Sequence, residues 1–195
     1  MKRFPEIALL FIPVLLYCFT TSAQNNSTLP DLASARKITW FGLDFSRFHS
    51  TSQVQRDKNT RISFRSGLNA YMISDKINIA GLLHVDTLLT DLTVVQKRNN
   101  EFSAVSAPLD ESSIKEMILD YHYPKSEGIG FVLIVDKMDR ATGNATAWAT
   151  FFDLETKEVI QTEVLSGKGT SGNPIIFWSG AFSEILTHTW ESISR

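Results

Sequence analysis

Ile129-Gly-Phe-Val-Leu-Ile-Val135 is an unbroken apolar run closed by Asp136. Seven residues are far too few to cross a bilayer, and an apolar run of this length suits a strand buried on both faces. Downstream, Asp139 to Asn144 supplies turn residues, ending in Gly143-Asn144. A second strand is predicted over Ala145 to Phe152, with Trp148 and Phe152 on one face. Asp153-Leu-Glu-Thr-Lys157 makes the next turn, and Val159 to Ser166 a third strand. Two hairpins in succession make an antiparallel meander. Gly167-Lys-Gly-Thr-Ser-Gly-Asn173 then leads into Pro174, with Asn173 placed as a helix cap and proline in the first turn. From Ile175 to about Ile193, Trp178, Phe182, Ile185, Leu186, Thr189 and Trp190 share one helical face.

Upstream of the run the signals are shorter. Asp110 stands as an N-cap before Ile114, Met117, Ile118 and Tyr121, so a short helix is predicted that Pro124 and Gly128 terminate. Leu83 to Gln96 alternates, with Val85, Thr87, Leu89, Asp91 and Thr93 on one side, and reads as a strand. Leu68, Tyr71 and Met72 have helical spacing, which predicts a helix over roughly Arg61 to Lys76, although Gly67 costs it about 1 kcal/mol relative to alanine. Lys37 to Phe45 reads as a strand with Ile38, Trp40 and Gly42 on one face. Ser46 to Asn59 and Lys97 to Ala107 are polar and read as loops. The expected order is β-α-β-α-β-β-β-α. That order predicts an α+β fold with a mixed sheet, a C-terminal antiparallel meander and helices packed on one face.

The chain has 195 residues, 43% of them apolar and 21% charged, with a net charge of -2. The length suits one domain, and the apolar fraction is too high for a disordered chain. A slightly acidic balance argues against nucleic acid, whose binding needs a basic surface. A single cysteine, Cys18, excludes a disulfide scaffold and a cysteine-based zinc cluster.

Residues 1–23 have the layout of a secretory signal peptide. Lys2 and Arg3 make the charged start, Ile7 to Phe19 the apolar segment broken by Pro13, and Thr21-Ser22-Ala23 the small residues before cleavage at Gln24. Cys18 is a poor lipid acceptor because the bulky Tyr17 precedes it. Cleavage leaves 17 basic and 20 acidic residues, a charge near -3, and no cysteine. Residues 24–36 are polar and read as a flexible leader, and residues 37–195 as the single domain. No later stretch is long and apolar enough to span a membrane.

The chemistry-bearing residues do not converge in sequence. His49, His84, His122 and His188 lie far apart, and none forms a zinc-protease pair, so no metal site is expected. Ser66-Gly67 and Ser179-Gly180 fall within predicted helices, not at the strand-to-helix elbow that a serine nucleophile uses. Asp136 and Asp139 stand at the opposite end of a strand from Asp153 and Glu155. Asn26, Asn144 and Asp86-Thr87-Leu88 match short glycosylation patterns that carry little weight. The remaining candidate is the glycine-rich turn. Lys168, Gly169, Gly172 and Asn173 precede a helix N-terminus, where free amides and the helix dipole attract anions. The spacing matches neither a phosphate-binding P-loop nor a dinucleotide fingerprint, and a tight connection from an edge strand into a helix is the favoured account of it.

Three stretches carry a resemblance: Glu127-Gly-Ile-Gly-Phe-Val-Leu-Ile-Val-Asp136, Thr150-Phe-Phe-Asp-Leu-Glu-Thr-Lys-Glu-Val159, and Ser166 to Asn173 leading to Phe177-Trp178. Over roughly residues 125–193 the chain resembles small secreted Bacteroidetes proteins of unknown function. The Asp-x-x-Thr-x-Glu-Val hairpin also resembles periplasmic modules of the curli-secretion lipoprotein type and the amino-terminal domain of the Tol-system propeller protein. The resemblance implies a structural hairpin and a role in envelope assembly, and it brings no catalytic residue and no cofactor. The absence of a lipid-acceptor cysteine departs from the lipoprotein members. The expected protein is therefore a periplasmic or secreted, non-enzymatic interaction module with a partner in the envelope. The alternative is a small-molecule or anion binder using Gly167–Gly172.

Overall fold

The computed structural model describes residues 31–50, 58–100, 108–121 and 127–194. The predicted signal peptide, Cys18, His122 and Pro124 lie outside them. The apolar run forms the centre of β4 (Ile129–Asp139), and its residues from Ile129 to Val135 are buried on both sides. β4 pairs antiparallel with β5 (Asn144–Asp153), and β5 with β6 (Val159–Lys168), which is the meander expected. On its other edge β4 meets β1 (Lys37–Asp44) in parallel, and β1 pairs in parallel with β3 (Thr87–Thr90). The path through the sheet is β3-β1-β4-β5-β6, so the fold is α+β with a mixed sheet. Beyond the end of β1, β2 (His49–Ser50) continues alongside Lys137 and Met138 of β4.

The helices are α1 (Lys58–Met72), α2 (Ile79–Leu82), α3 (Thr93–Asn100), α4 (Glu111–Leu119) and α5 (Pro174–Ile193). α1, α2 and α5 cover one face, burying Leu68, Met72, Ile79, Trp178, Phe182 and Ile185 against Trp40, Phe131, Leu133 and Phe151. The opposite face is not bare. α4 brings Ile114, Met117 and Ile118, and α3 brings Val95, onto Phe41, Val132, Ile134 and Phe152. The expected helix layer is thus present, with a smaller second layer behind it. Chain direction explains this. The crossover from β1 to β3 moves one way along the sheet and the crossover from β3 to β4 moves back, and two crossovers of one hand in opposite directions must use opposite faces.

Three local expectations are corrected. Leu83 to Gln96 is not one strand: β3 spans four residues, and Asp91 then accepts the Thr93 N–H at 2.9 Å to start α3. Residues Lys97 to Asn100, read as loop, are the end of α3. The loop expected from Ser46 to Asn59 contains β2 and the first residues of α1. The end of the expected leader is docked as well, since Asp31 caps a 3-10 turn at Leu32–Ser34 and Leu32 is buried in the core.

Asp110 caps α4 as expected, accepting the Ser113 N–H at 2.8 Å and the Ser113 and Ser112 hydroxyls. These hydrogen bonds, the one from the Ser113 hydroxyl foremost, hold the carboxyl at about 2, well below its ordinary value. A lowered folded value means the cap stabilises above the ordinary carboxylate range and is lost as pH falls through the folded value. Asp110→Ala is therefore expected to lower the thermal midpoint at neutral pH. The difference from wild type should close between roughly pH 4 and 2, which thermal melts across that range would show.

Candidate functional site

At the carboxyl end of β1 the parallel pairing with β3 runs out. Asp91 N–H still donates to Trp40 O at 3.0 Å, but β3 has no residue to meet Leu43. Two side-chain amides continue the ladder. Asn69 of α1 accepts the Leu43 N–H at 2.7 Å and donates back to Leu43 O at 3.0 Å. Asn99 of α3 accepts the Phe45 N–H at 2.6 Å and also donates to Leu43 O at 3.0 Å. Both asparagines are buried. Gly42 makes room for this. It sits at a bulge with φ +100, and a Cβ there would lie 2.5 Å from Asn69 Oδ1. The bulge also breaks the expected alternation after Trp40: Phe41 faces α4, as alternation requires, but Leu43 returns to the α1 side with Ile38 and Trp40. Asn69→Ala leaves a buried backbone N–H without an acceptor. It is expected to cost about 2–3 kcal/mol in urea denaturation, with Asn99 still holding the carbonyl.

The ladder's end holds a charge. Asp44, fully buried, accepts the Ser46 N–H on Oδ1 at 2.7 Å. On Oδ2 it receives Arg98 Nε at 2.8 Å and the Tyr121 hydroxyl at 2.6 Å. Arg98 goes on to Asp120 at 2.9 Å and to Ser46 Oγ at 3.3 Å, and its guanidinium stands over the Tyr121 ring. Burial opposes the charge on Arg98, but Asp44, with Tyr121 and Asp120, raises its pKa above the ordinary value. Burial first, and the Asp44 carboxylate second, push the Tyr121 phenol well above its ordinary range. Tyr121 is therefore a fixed donor. Arg65, also buried, donates to Asn99 O at 3.1 Å and lies over the Phe45 and Phe48 rings. Burial and the neighbouring Arg61 lower it to about 10, with Asp44 pulling the other way.

Open α/β sheets often bind ligands at the carboxyl ends of parallel strands, where neighbouring connections diverge. Asp44 stands at such a point, since β1 leads to α1 on one face of the sheet and its neighbour β3 to α3 on the other. Its carboxylate oxygens already receive three donors, so this arrangement fixes the strand end, α3 and the end of α4 to one another. Sequence pattern singles out none of Asp44, Arg98 and Tyr121 as a site. The one available cue was an acid directly at the end of an apolar strand.

The glycine-rich turn is a compact connection. The Lys168 N–H donates to Glu184 Oε2 at 2.6 Å, Gly169 N–H to Gly143 O at 2.8 Å and Thr170 N–H to Phe177 O at 3.1 Å. Asn173 caps α5 as expected, its Oδ1 accepting from Ile175 and Ile176 at 3.0 and 3.1 Å. Gly172 has φ +141, which favours glycine there. The Lys168 and Gly169 amides are thus engaged by α5 and by the turn between β4 and β5, and the Asn173 side chain by the first amides of α5. Elsewhere, Ser179 donates to Ile176 O, His188 contacts Ser166 O at 3.2 Å, and His84 stacks on Trp190 at 4.7 Å. Among the described residues no three His, Cys, Asp or Glu side chains group to hold a metal ion.

No family model matches the chain, and no curated protein does. Among solved structures it is similar to lipoprotein GNA1162 from Neisseria meningitidis, at 10% identity and a TM-score of 0.38, over 82% of this chain and 97% of that one. It is also similar to the hypothetical protein CT253 from Chlamydia trachomatis, at 10% identity and a TM-score of 0.32, over 81% and 93%.

Proposed function

We propose that this chain is an exported, non-enzymatic interaction module that works in the periplasm or outside the cell as an accessory of an envelope assembly. The carrying observation is where hydrogen-bonding capacity is used and where it is left open. The Asp44 carboxylate accepts its bonds from within the fold, from Ser46, Arg98 and Tyr121. Among the described residues, the outer strand β6 leaves backbone groups unpaired beside an exposed Val164, 45% accessible, which is the kind of surface a protein partner covers. The signal-peptide layout of residues 1–23 supports export. So does the likeness of residues 125–193 to small secreted Bacteroidetes proteins and to curli-type and Tol-type periplasmic modules. Among the described residues no helix is long and apolar enough to cross a membrane.

The test is a crosslinked affinity capture of the chain lacking residues 1–23 from the envelope of its own cells, read by mass spectrometry. Reproducible recovery of one envelope protein supports the reading. A clean blank from a monodisperse protein counts against it.

A further inference from the structure

β6 is the outer strand on its side of the sheet, and its pairing decides which way each backbone group points. Gly169 N–H bonds to Gly143 O, so the odd-numbered positions of β6 face β5 and the even-numbered ones face away. Two contacts with α5 agree: Lys168 N–H reaches Glu184 and Ser166 O meets His188. Those side chains close the end of the strand. Among the described residues, the outward N–H and C=O groups of Thr162 and Val164 have no partner. No proline or register break interrupts Gln161 to Lys168. An open edge of this kind is a template for strand addition.

The flanking side chains define what fits. On the Val164 side, Thr162 and Ser166 pair their hydroxyls with Thr150 at 2.8 Å and Thr146 at 3.4 Å, so this face is uncharged. On the other side the exposed Glu163 supplies one negative charge. A second copy of the chain does not fit. α5 follows β6 along its length, from Glu184 at Lys168 to Ser192 at Gln161. It lies so close that a Cβ on Gly167 would be 2.0 Å from Ala181 O. Pairing the open Thr162 and Val164 groups with those of a copy would also set Glu163 directly opposite its own counterpart, a like-charge pair that destabilises a ladder.

We propose that Gln161–Leu165 of β6 binds an extended segment of another protein as an added strand, with small uncharged side chains toward Val164 and a basic one beside Glu163. This rests on the interaction-module reading. The test uses the chain lacking residues 1–23 and two labelled synthetic peptides, Thr-Lys-Val-Lys-Val-Thr and its glutamate-for-lysine twin, measured by fluorescence polarisation. Wild type should prefer the lysine peptide by about tenfold, and the peptide should slow amide exchange at Thr162 and Val164. Val164→Pro removes one outward N–H and no bond to β5, so it should keep its melting point while losing at least about tenfold in affinity. Glu163→Lys should reverse the peptide preference, and decides the matter if the proline variant does not fold.

Equal peptide binding by wild type and Val164→Pro would overturn the proposal. So would failure of both peptides while envelope capture still recovers a partner, which leaves the module reading standing. Failure of both peptides and of envelope capture would overturn the two together.

Discussion

Arg98→Ala should be among the most destabilising single changes in this chain, lowering stability by about 3–5 kcal/mol. In a domain of this size that is roughly 10 °C in thermal midpoint. The reason is asymmetric burial. The Asp44 side chain is 0% exposed, and Arg98, at 16%, is the cation paired with it. Removing the guanidinium leaves a carboxylate in the interior with the Tyr121 hydroxyl and the Ser46 N–H as donors. Asp44→Ala should cost less, because Arg98 keeps Asp120, which is 73% exposed, and some contact with water. Urea denaturation of the two variants checks the order. Tyr121 adds a pH signature. Its raised folded value means that its contribution is complete below the ordinary phenol range and declines as pH rises above about 10. Tyr121→Phe should flatten that alkaline decline and, by removing a hydrogen bond to a charged group, cost about 1.5–3 kcal/mol at neutral pH.

Gly167→Ala should cost about 3 kcal/mol or more, the upper part of the range for overpacking. An added Cβ meets the Ala181 carbonyl oxygen at 2.0 Å and Ile185 Cγ1 at 3.1 Å, and the nearer obstacle is backbone. No side chain can rotate away, so α5 must lift from β6, taking the Glu184 bond to Lys168 with it. Gly67→Ala is the control. Its Cβ would meet only Ile175 Cδ1, at 3.4 Å, within α1, so helix propensity governs and the protein should gain up to about 1 kcal/mol. Thermal melts of the pair should move in opposite directions. Two losses of similar size would mean that the closeness of α5 and β6 does not control the Gly167 position.

Legibility followed the range of the interactions involved. The meander was readable because strand alternation, turn residues and the run from Ile129 to Val135 all lie within a few residues of one another. The same holds for α4 and α5, whose caps, Asp110 and Asn173, bond to amides two or three positions on. The stretch from Leu83 to Gln96 was misread for the opposite reason. Its alternation is real over Thr87–Thr90, but the strand ends where β1 turns to Asn69 and Asn99 for its partners, and Asp91 starts a helix there. An aspartate two residues before Thr93 was the missed signal.

The Asp44 cluster shows the same division. Its members are 54 and 77 positions apart and come from a strand end, a segment read as loop and a helix end. Local pattern sets the α+β class, the antiparallel half of the sheet, the capped helices and the glycine-rich turn, because each depends on neighbours along the chain. Long-range packing sets β1 between β3 and β4, puts helices on both faces, brings Asp44 to Arg98 and Tyr121, and, among the described residues, leaves β6 with an open edge. Those outcomes depend on strand order and crossover direction, which bring together residues that local pattern leaves unrelated.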